Sequence, residues 1–119
     1  MFAELQINKI QSLYDQGRYE ESIQKGKEIV KTPKYPELHF ILGNSYKALQ
    51  AYEEAIYEYS KAINMAALGS YYNNRGNAYL ALQEIEKAKS DYKKAIDIEP
   101  GNEVYLGNYG NICLSLKKF

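Results

Sequence analysis

The sequence repeats itself at a constant interval, and this repeat constrains the fold more than any other feature. Residues 42–63, LGNSYKALQAYEEAIYEYSKAI, return in altered form as RGNAYLALQEIEKAKSDYKKAI at 75–96. Five pairs of identical residues share the spacing: Gly43 and Gly76, Tyr46 and Tyr79, Ala55 and Ala88, Tyr59 and Tyr92, and Ala62 and Ala95. We therefore divide the chain into repeats over about 3–35, 36–68 and 69–102 and a half-repeat over 103–119. Together they are expected to form a single domain, 1–119.

Within one repeat the apolar residues follow a helical period. Residues 38–49 and 52–63 each place apolar side chains at i, i+3, i+4 and i+7. Only a tight turn fits between them, so the two helices must pack as an antiparallel pair. We expect Gly43 to face Ala55 across this pair, with Tyr46 and Tyr59 filling the volume around them and their hydroxyls near the rim. Proline and glycine end the second helix at EPGN, 99–102, and we expect the same at KTPKYP, 31–36.

The recurring residues resemble the tetratricopeptide repeat (TPR) signature. HFILGNSY at 39–46, followed by AIYEY at 55–59, is similar to that signature, with His for the usual Trp and Tyr for Phe. YNNRGNAY at 72–79 with AKSDY at 88–92 resembles it again, and LGNYGNIC at 106–113 begins another copy. The resemblance implies an all-α fold, a right-handed α-solenoid of antiparallel helix pairs whose first helices line a concave groove. Pentatricopeptide arrays have a similar helix pair, but they bind RNA and are normally basic.

Composition excludes several classes of function. Fifteen basic and fifteen acidic residues give a formal net charge of zero, which argues against nucleic-acid and anionic-membrane partners. No apolar run reaches the length of a membrane span, and the start, MFAELQINKI, does not resemble a signal peptide. The single cysteine, Cys113, and the single histidine, His39, cannot form a disulfide or a metal cluster. We therefore expect a cytoplasmic protein without metal, cofactor or catalytic residues, and not an enzyme.

The family geometry implies which side chains face the groove. Asparagines recur there in register, with 44, 77 and 111 in one row and 74 and 108 in another. An asparagine amide offers donors and an acceptor, so it can hold a peptide backbone without reading its sequence. The alternative is that these amides only form local hydrogen bonds. The candidate peptide-binding residues are Tyr14, Phe40, Asn44, Lys47, Asn73, Asn74, Asn77, Leu80, Asn108 and Asn111. Lys47 would accept an acidic neighbour, and the aromatic residues and Leu80 would supply apolar pockets.

One TPR subgroup binds the carboxy-terminal tails of heat-shock chaperones with a clamp of Lys, Asn and Arg. On the second to fourth repeats the clamp pattern matches Asn44 and Asn74. It requires cations at three further positions, which are occupied by Phe40, Val104 and Asn108. Two carboxylates cannot be neutralised without those cations. We therefore predict that chaperone tails are not the ligand.

The function we predict is a non-catalytic protein–protein interaction scaffold that binds a peptide or partner segment in the groove. The last helix, 103–116, is apolar nearly all round, which suggests two further possibilities. Either more repeats follow it, or it mediates self-association into a homo-oligomer. The charged residues of 84–94 are expected on a solvated outer face, with Asp91 paired to Lys94.

Overall fold

A computed structural model describes residues 2–29 and 35–117, with side chains for 3–29 and 35–116. These residues form α-helices joined by short connections. The helices are α1 (Phe2–Asp15), α2 (Tyr19–Ile29), α3 (Pro36–Ala48), α4 (Tyr52–Met65), α5 (Gly69–Ala81), α6 (Ile85–Ile98) and α7 (Glu103–Lys117). The all-helical prediction is therefore confirmed for the described residues.

The chain divides into two compact units, Met1–Ala66 and Ala67–Phe119. In the N-terminal unit α3 and α4 form the most extensive pair, and α1 and α2 pack on each other and on α3. In the C-terminal unit α5 pairs with α6, and α7 packs on α6. Most of the segment 31–36 lies outside the described residues. Its last residue, Pro36, begins α3, where its fixed φ and missing N–H are tolerated.

The turn inside each helix pair contains one residue in the left-handed backbone conformation, at the same position of the repeat. Gly17, Gln50 and Gln83 occupy equivalent positions in successive repeats and have φ values of 76°, 62° and 61°. In each turn the following N–H donates to the carbonyl five residues earlier, with N···O distances of 2.8, 2.9 and 2.9 Å. This is the Schellman arrangement, which satisfies carbonyls at the end of the first helix. The predicted tight turns are thus present in all three complete helix pairs.

A tyrosine ring lies on the glycine of α3 and again on that of α5. A Cβ atom on Gly43 would lie 2.6 Å from the ring of Tyr59, and one on Gly76 would lie 2.8 Å from the ring of Tyr92. Both tyrosines are fully buried. The prediction that the Tyr59 hydroxyl lies near the rim is therefore wrong, whereas Tyr46 is half-buried as expected of a residue near the rim. Long side chains on a helix point back toward its N-terminus, so the ring covers the glycine.

Each compact unit has its own apolar core. In the N-terminal unit Ile10, Leu38 and Ile41 form a buried cluster that joins α1 to α3. In the C-terminal unit Ala88, Tyr92 and Ile112 form one that joins α6 to α7. These clusters fix the first helices, which carry the candidate site residues.

Candidate peptide-binding faces

Phe40, Asn44 and Lys47 lie on one face of α3, which we call the N-terminal face, because their spacing is i, i+4 and i+7. The hydroxyl of Tyr59 on α4 donates to Asn44 Oδ1 at 2.5 Å. The Phe40 ring lies 5.8 Å from the Tyr59 ring at a tilt of 49°. Tyr59 therefore supports two candidate residues of this face.

Tyr14 is partly buried at the edge of the apolar core of the N-terminal unit. Its ring packs against the cluster formed by Ile10, Leu38 and Ile41, and its centroid lies 5.3 Å from that of Tyr19. Burial, followed by the charges of Tyr19 and Asp15, raises the pKa of the Tyr14 hydroxyl. Tyr14 can offer a ligand only the part of its ring that the core leaves uncovered.

Lys47 is a half-buried cation on the N-terminal face. Burial lowers the pKa of its ammonium group, because the charged form loses hydration. No carboxylate of the described residues forms an ion pair with it. The ammonium group of Lys47 has therefore lost part of its hydration without gaining an ion pair with a described carboxylate. An acidic ligand group could form that ion pair.

Asn77 on α5 repeats the environment of Asn44. The hydroxyl of Tyr92 donates to Asn77 Oδ1 at 2.6 Å. The local hydrogen bond considered from the sequence is thus present at both positions. Within the described part of the chain no acceptor takes the Nδ2 hydrogens of Asn77, so its donors are available to a ligand.

Three further asparagines form a hydrogen-bonded chain between α5 and α7. Asn108 Nδ2 donates to Asn73 Oδ1 at 2.9 Å, and Asn73 Nδ2 donates to Asn74 Oδ1 at 3.4 Å. Asn73 is only 6% exposed, so it links the helices from a buried position. Leu80 and Asn111 are exposed. We define the C-terminal face as Asn74, Asn77 and Leu80 on α5 with Asn108 and Asn111 on α7.

The sequence interpretation missed two hydrogen-bonded pairs of side chains, each of which contains a buried carboxylate. His39 Nδ1 lies 2.8 Å from Glu58 Oε1, with both side chains buried. Arg75 donates two hydrogen bonds, from Nε and Nη2, to the two carboxylate oxygens of Asp91, each at 2.8 Å. Asp91 is 2% exposed, so its predicted pairing with Lys94 on a solvated face is wrong.

A signal for the Arg75 pair was present in the sequence. Arg75 occupies the position in its repeat that Leu42 occupies in the preceding one, and Leu42 is fully buried. A cation at a core position requires a buried anion, and the hydrogen bond to Asp91 raises the pKa of Arg75 further. The rings of Tyr72 and Tyr79 lie 5.5 and 5.7 Å from the guanidinium carbon, which is within the range of a cation–π interaction.

Two other kinds of site are absent from the described ranges. In residues 2–29 and 35–117 no three His, Cys, Asp or Glu side chains come together as a metal site would need. No helix in the same ranges is both long enough and apolar enough to cross a membrane.

Comparison with protein families identifies the class of this chain. Models of the tetratricopeptide repeat match residues 36–67 and 70–102, which lie within the second and third predicted repeats and cover more than half of the chain. The chain belongs to the tetratricopeptide repeat family. Members of this family are typically non-catalytic interaction modules. No curated protein sequence matches the chain.

Solved structures of TPR domains share its fold. The first TPR domain of Spaghetti (RPAP3), bound to the HSP90 peptide SRMEEVD, is 26% identical, with a TM-score of 0.91 over 97% of this chain and 93% of that one. The first TPR domain of human RPAP3 is also 26% identical, with a TM-score of 0.91 over 98% and 93%. MamA is 23% identical, with a TM-score of 0.91 over 96% and 68%. The predicted fold class, an all-α solenoid of antiparallel helix pairs, is confirmed.

Proposed function

We propose that this chain is a non-catalytic protein–protein interaction scaffold that binds a peptide or partner segment, and that the N-terminal face and the C-terminal face each contribute contact residues. The observation that carries the proposal is the repeated tyrosine–asparagine hydrogen bond. Tyr59 holds the amide of Asn44, and Tyr92 holds that of Asn77. An amide that is already oriented loses less entropy when it binds a peptide backbone, so binding costs less free energy.

The side chains around these amides indicate the chemistry of the ligand. Phe40 and Leu80 supply apolar contacts, and Lys47 is placed to hold an acidic side chain. The residues of the C-terminal face carry no charge, so the part of the ligand bound there is expected to be uncharged. Few charged or aromatic anchors are available, and the affinity is therefore expected to be modest. The zero net charge supports a protein or peptide partner over a nucleic acid or an anionic membrane. We propose that the chain acts in the cytoplasm.

The asparagines cannot be tested by single alanine substitutions. Asn77→Ala would leave the buried Tyr92 hydroxyl without an acceptor and would cost about 1–3 kcal/mol of stability. The double variant Asn77→Ala/Tyr92→Phe removes both partners and is expected to stay close to wild type in stability. Asn44→Ala/Tyr59→Phe is the corresponding variant of the N-terminal face.

The experiment selects peptides from a random library displayed on phage and measures their Kd for the wild type and both double variants. We expect each double variant to bind at least about tenfold more weakly, the equivalent of ~1.4 kcal/mol. The control is Asn64→Ala/Tyr57→Phe, which removes the same groups from exposed positions on α4. Equal affinity of all four proteins would place the peptide elsewhere and would contradict the proposal.

Self-association through α7 is the second candidate function. Val104 and Leu114 are 62% and 61% exposed, which is unusual for two aliphatic side chains on one helix. If these residues join two copies, the apparent mass in sedimentation will fall on dilution, and Val104→Glu will give a monomer at every concentration. A wild-type chain that is monomeric throughout would exclude this function.

The peptide bound by the RPAP3 relative provides a separate prediction. The sequence has Phe40, Val104 and Asn108 at the positions where the chaperone-tail clamp requires cations. We expect SRMEEVD, carrying a fluorophore, to show no saturable change in anisotropy with this chain. The first TPR domain of RPAP3 is the positive control. Binding of comparable affinity by both proteins would show that this chain neutralises the carboxylates by another route.

A further inference from the structure

Two lysines on one side of α6 have no ion-pair partner. Lys87 and Lys94 are both exposed and are separated by two helical turns, so they lie about 10 Å apart along the helix axis. In the described part of the chain no carboxylate lies within ion-pair distance of either ammonium group. This side of α6 therefore carries two positive charges that the chain itself does not pair.

Two tyrosine rings of α5 hold these ammonium groups. Lys87 Nζ lies 5.7 Å from the centroid of the Tyr79 ring, and Lys94 Nζ lies 5.6 Å from that of the Tyr72 ring. Both distances are within the range of a cation–π interaction. The lysines are thus partly oriented before a ligand arrives, so they lose less entropy when they bind one.

This pair of cations is a property of one repeat and not of the fold. The positions equivalent to Lys87 in the two preceding repeats carry acidic residues, Glu21 and Glu54. The lysine is therefore not required for packing a TPR helix pair. Along the chain α4 precedes α5 and α7 follows α6, so the two lysines do not belong to a terminal element.

An exposed apolar residue continues the same side of α6. Ile98 follows Lys94 by one helical turn and is 42% exposed. A ligand that pairs with the lysines can therefore also gain apolar contact at this end. We call Tyr72, Tyr79, Lys87, Lys94 and Ile98 the α6 patch.

We propose that the α6 patch binds a helix of a partner protein that carries two acidic side chains seven residues apart. Because all α-helices have the same rise per residue, such side chains match the spacing of Lys87 and Lys94. An apolar side chain one turn beyond them contacts Ile98. A nucleic acid fits less well, since Glu84 and Glu86 beside Lys87 repel a polyanion.

The α6 patch shares no residue with the N-terminal face or the C-terminal face. On α5 Tyr72 and Tyr79 lie on a different side of the helix from Asn74 and Asn77, as their spacing requires. The patch can therefore be occupied whether or not the peptide-binding role proposed above is correct.

The probe is a synthetic helix of about 20 residues built from alanine and glutamine, a length at which such helices form in water. It carries two glutamates seven residues apart, with a leucine four residues outside each, so that it matches the patch in either direction. A control peptide of the same composition has its glutamates five residues apart, which places them on opposite sides of the helix.

Binding to the full chain is followed by NMR, from the shifts of its backbone amides. We expect saturable binding that weakens at least about fivefold in Lys87→Gln/Lys94→Gln, since two ion pairs are lost. The matched control is Lys89→Gln/Lys93→Gln, which removes the same charge from another side of α6 and should change the Kd less than about twofold. Added salt should weaken binding of the wild type.

Four outcomes would overturn the proposal. The first is the absence of saturable binding. The second is an equal loss of affinity in the two double variants, which would indicate a general effect of charge. The third is equal affinity for the peptide and its control. The fourth is tighter binding of a single-stranded oligonucleotide that Lys87→Gln/Lys94→Gln abolishes, which would assign the patch to a nucleic acid.

Discussion

At the scale of single residues, one acidic position pairs with a different side chain in each of the two complete TPR helix pairs that contain it. Glu58 and Asp91 occupy equivalent positions in successive repeats and are both buried. Glu58 pairs with His39, and Asp91 pairs with Arg75, which stands one turn later in the repeat. In α3 the position of Arg75 is filled by Leu42. The partner of the carboxylate therefore stands at a different position of the first helix in each repeat, one helical turn apart, while the carboxylate remains paired.

The Arg75–Asp91 pair predicts a large difference between two aspartates of α6. Asp91→Ala leaves the guanidinium without its buried partner and is expected to cost about 3–5 kcal/mol. Asp97→Ala breaks only the exposed pair with Lys93 and should leave the free energy of unfolding almost unchanged, because water screens that pair. Urea unfolding followed by circular dichroism measures both. A similar loss of unfolding free energy in the two variants would contradict this prediction, because it would mean that water hydrates the Arg75 guanidinium once Asp91 is removed.

Tyr92 predicts a specific loss of stability in alkali. Burial, followed by the charge of Asp91, raises the pKa of its hydroxyl to about 12, above the value of about 10 for an unfolded tyrosine. The folded chain therefore holds this proton more tightly. The resulting stabilisation is complete below pH ~10 and is lost as the pH rises toward about 12. Urea unfolding at a series of pH values should show a smaller alkaline loss for Tyr92→Phe, whereas Tyr57→Phe, at an exposed position, should behave as the wild type.

At the scale of secondary-structure elements, two turns of the helix pairs contain residues whose replacement by glycine should increase the stability of the chain. Gln50 and Gln83 adopt the left-handed conformation that glycine adopts at the equivalent Gly17. A left-handed residue with a side chain costs about 1–2 kcal/mol. We expect Gln50→Gly and Gln83→Gly each to raise the free energy of unfolding by about 0.5–1 kcal/mol, after the greater flexibility of glycine in the unfolded chain is deducted.

The control for this prediction is Gln→Ala at the same two positions. Alanine removes the polar group but keeps the Cβ atom, so it should not stabilise the turn. Thermal unfolding of the four variants separates the effects. A gain with alanine equal to that with glycine would show that the glutamine amide, and not the backbone, is the source of the strain.

The helices themselves could be predicted closely from the sequence, because the period specifies both the turns and the apolar stripes. The expected ranges 38–49 and 52–63 correspond to α3 and α4. The partners of individual polar residues could not be predicted in the same way. The i,i+3 spacing of Asp91 and Lys94 is visible along one helix, whereas the contact with Arg75 depends on how α5 docks on α6. Sequence also could not distinguish buried Asn73 from its neighbour Asn74, because α5 is polar on several sides.

At the scale of the whole molecule, the balance of charges predicts a weakly soluble chain near neutral pH. Equal numbers of basic and acidic residues give a pI of about 6.6. Protein molecules repel one another least at that pH, and exposed apolar side chains then favour association. We expect precipitation by polyethylene glycol to be easiest near the pI. Lys9→Glu, at an exposed position, should move this minimum to lower pH. An unchanged minimum would indicate that apolar association, and not net charge, limits solubility.

The tyrosine–asparagine bonds also bear on how readily such a chain can acquire a new ligand. Asn44 and Asn77 are tied to the interior, so replacing them alone disturbs the helix pair. Three positions further along, the repeat carries Lys47, Leu80 and Leu114, which already differ in charge and are not buried. In the proposed function, recognition could therefore diversify at these sites by single substitutions with little cost to folding. The structural positions and the positions proposed to select the ligand then lie on the same helix face, one turn apart.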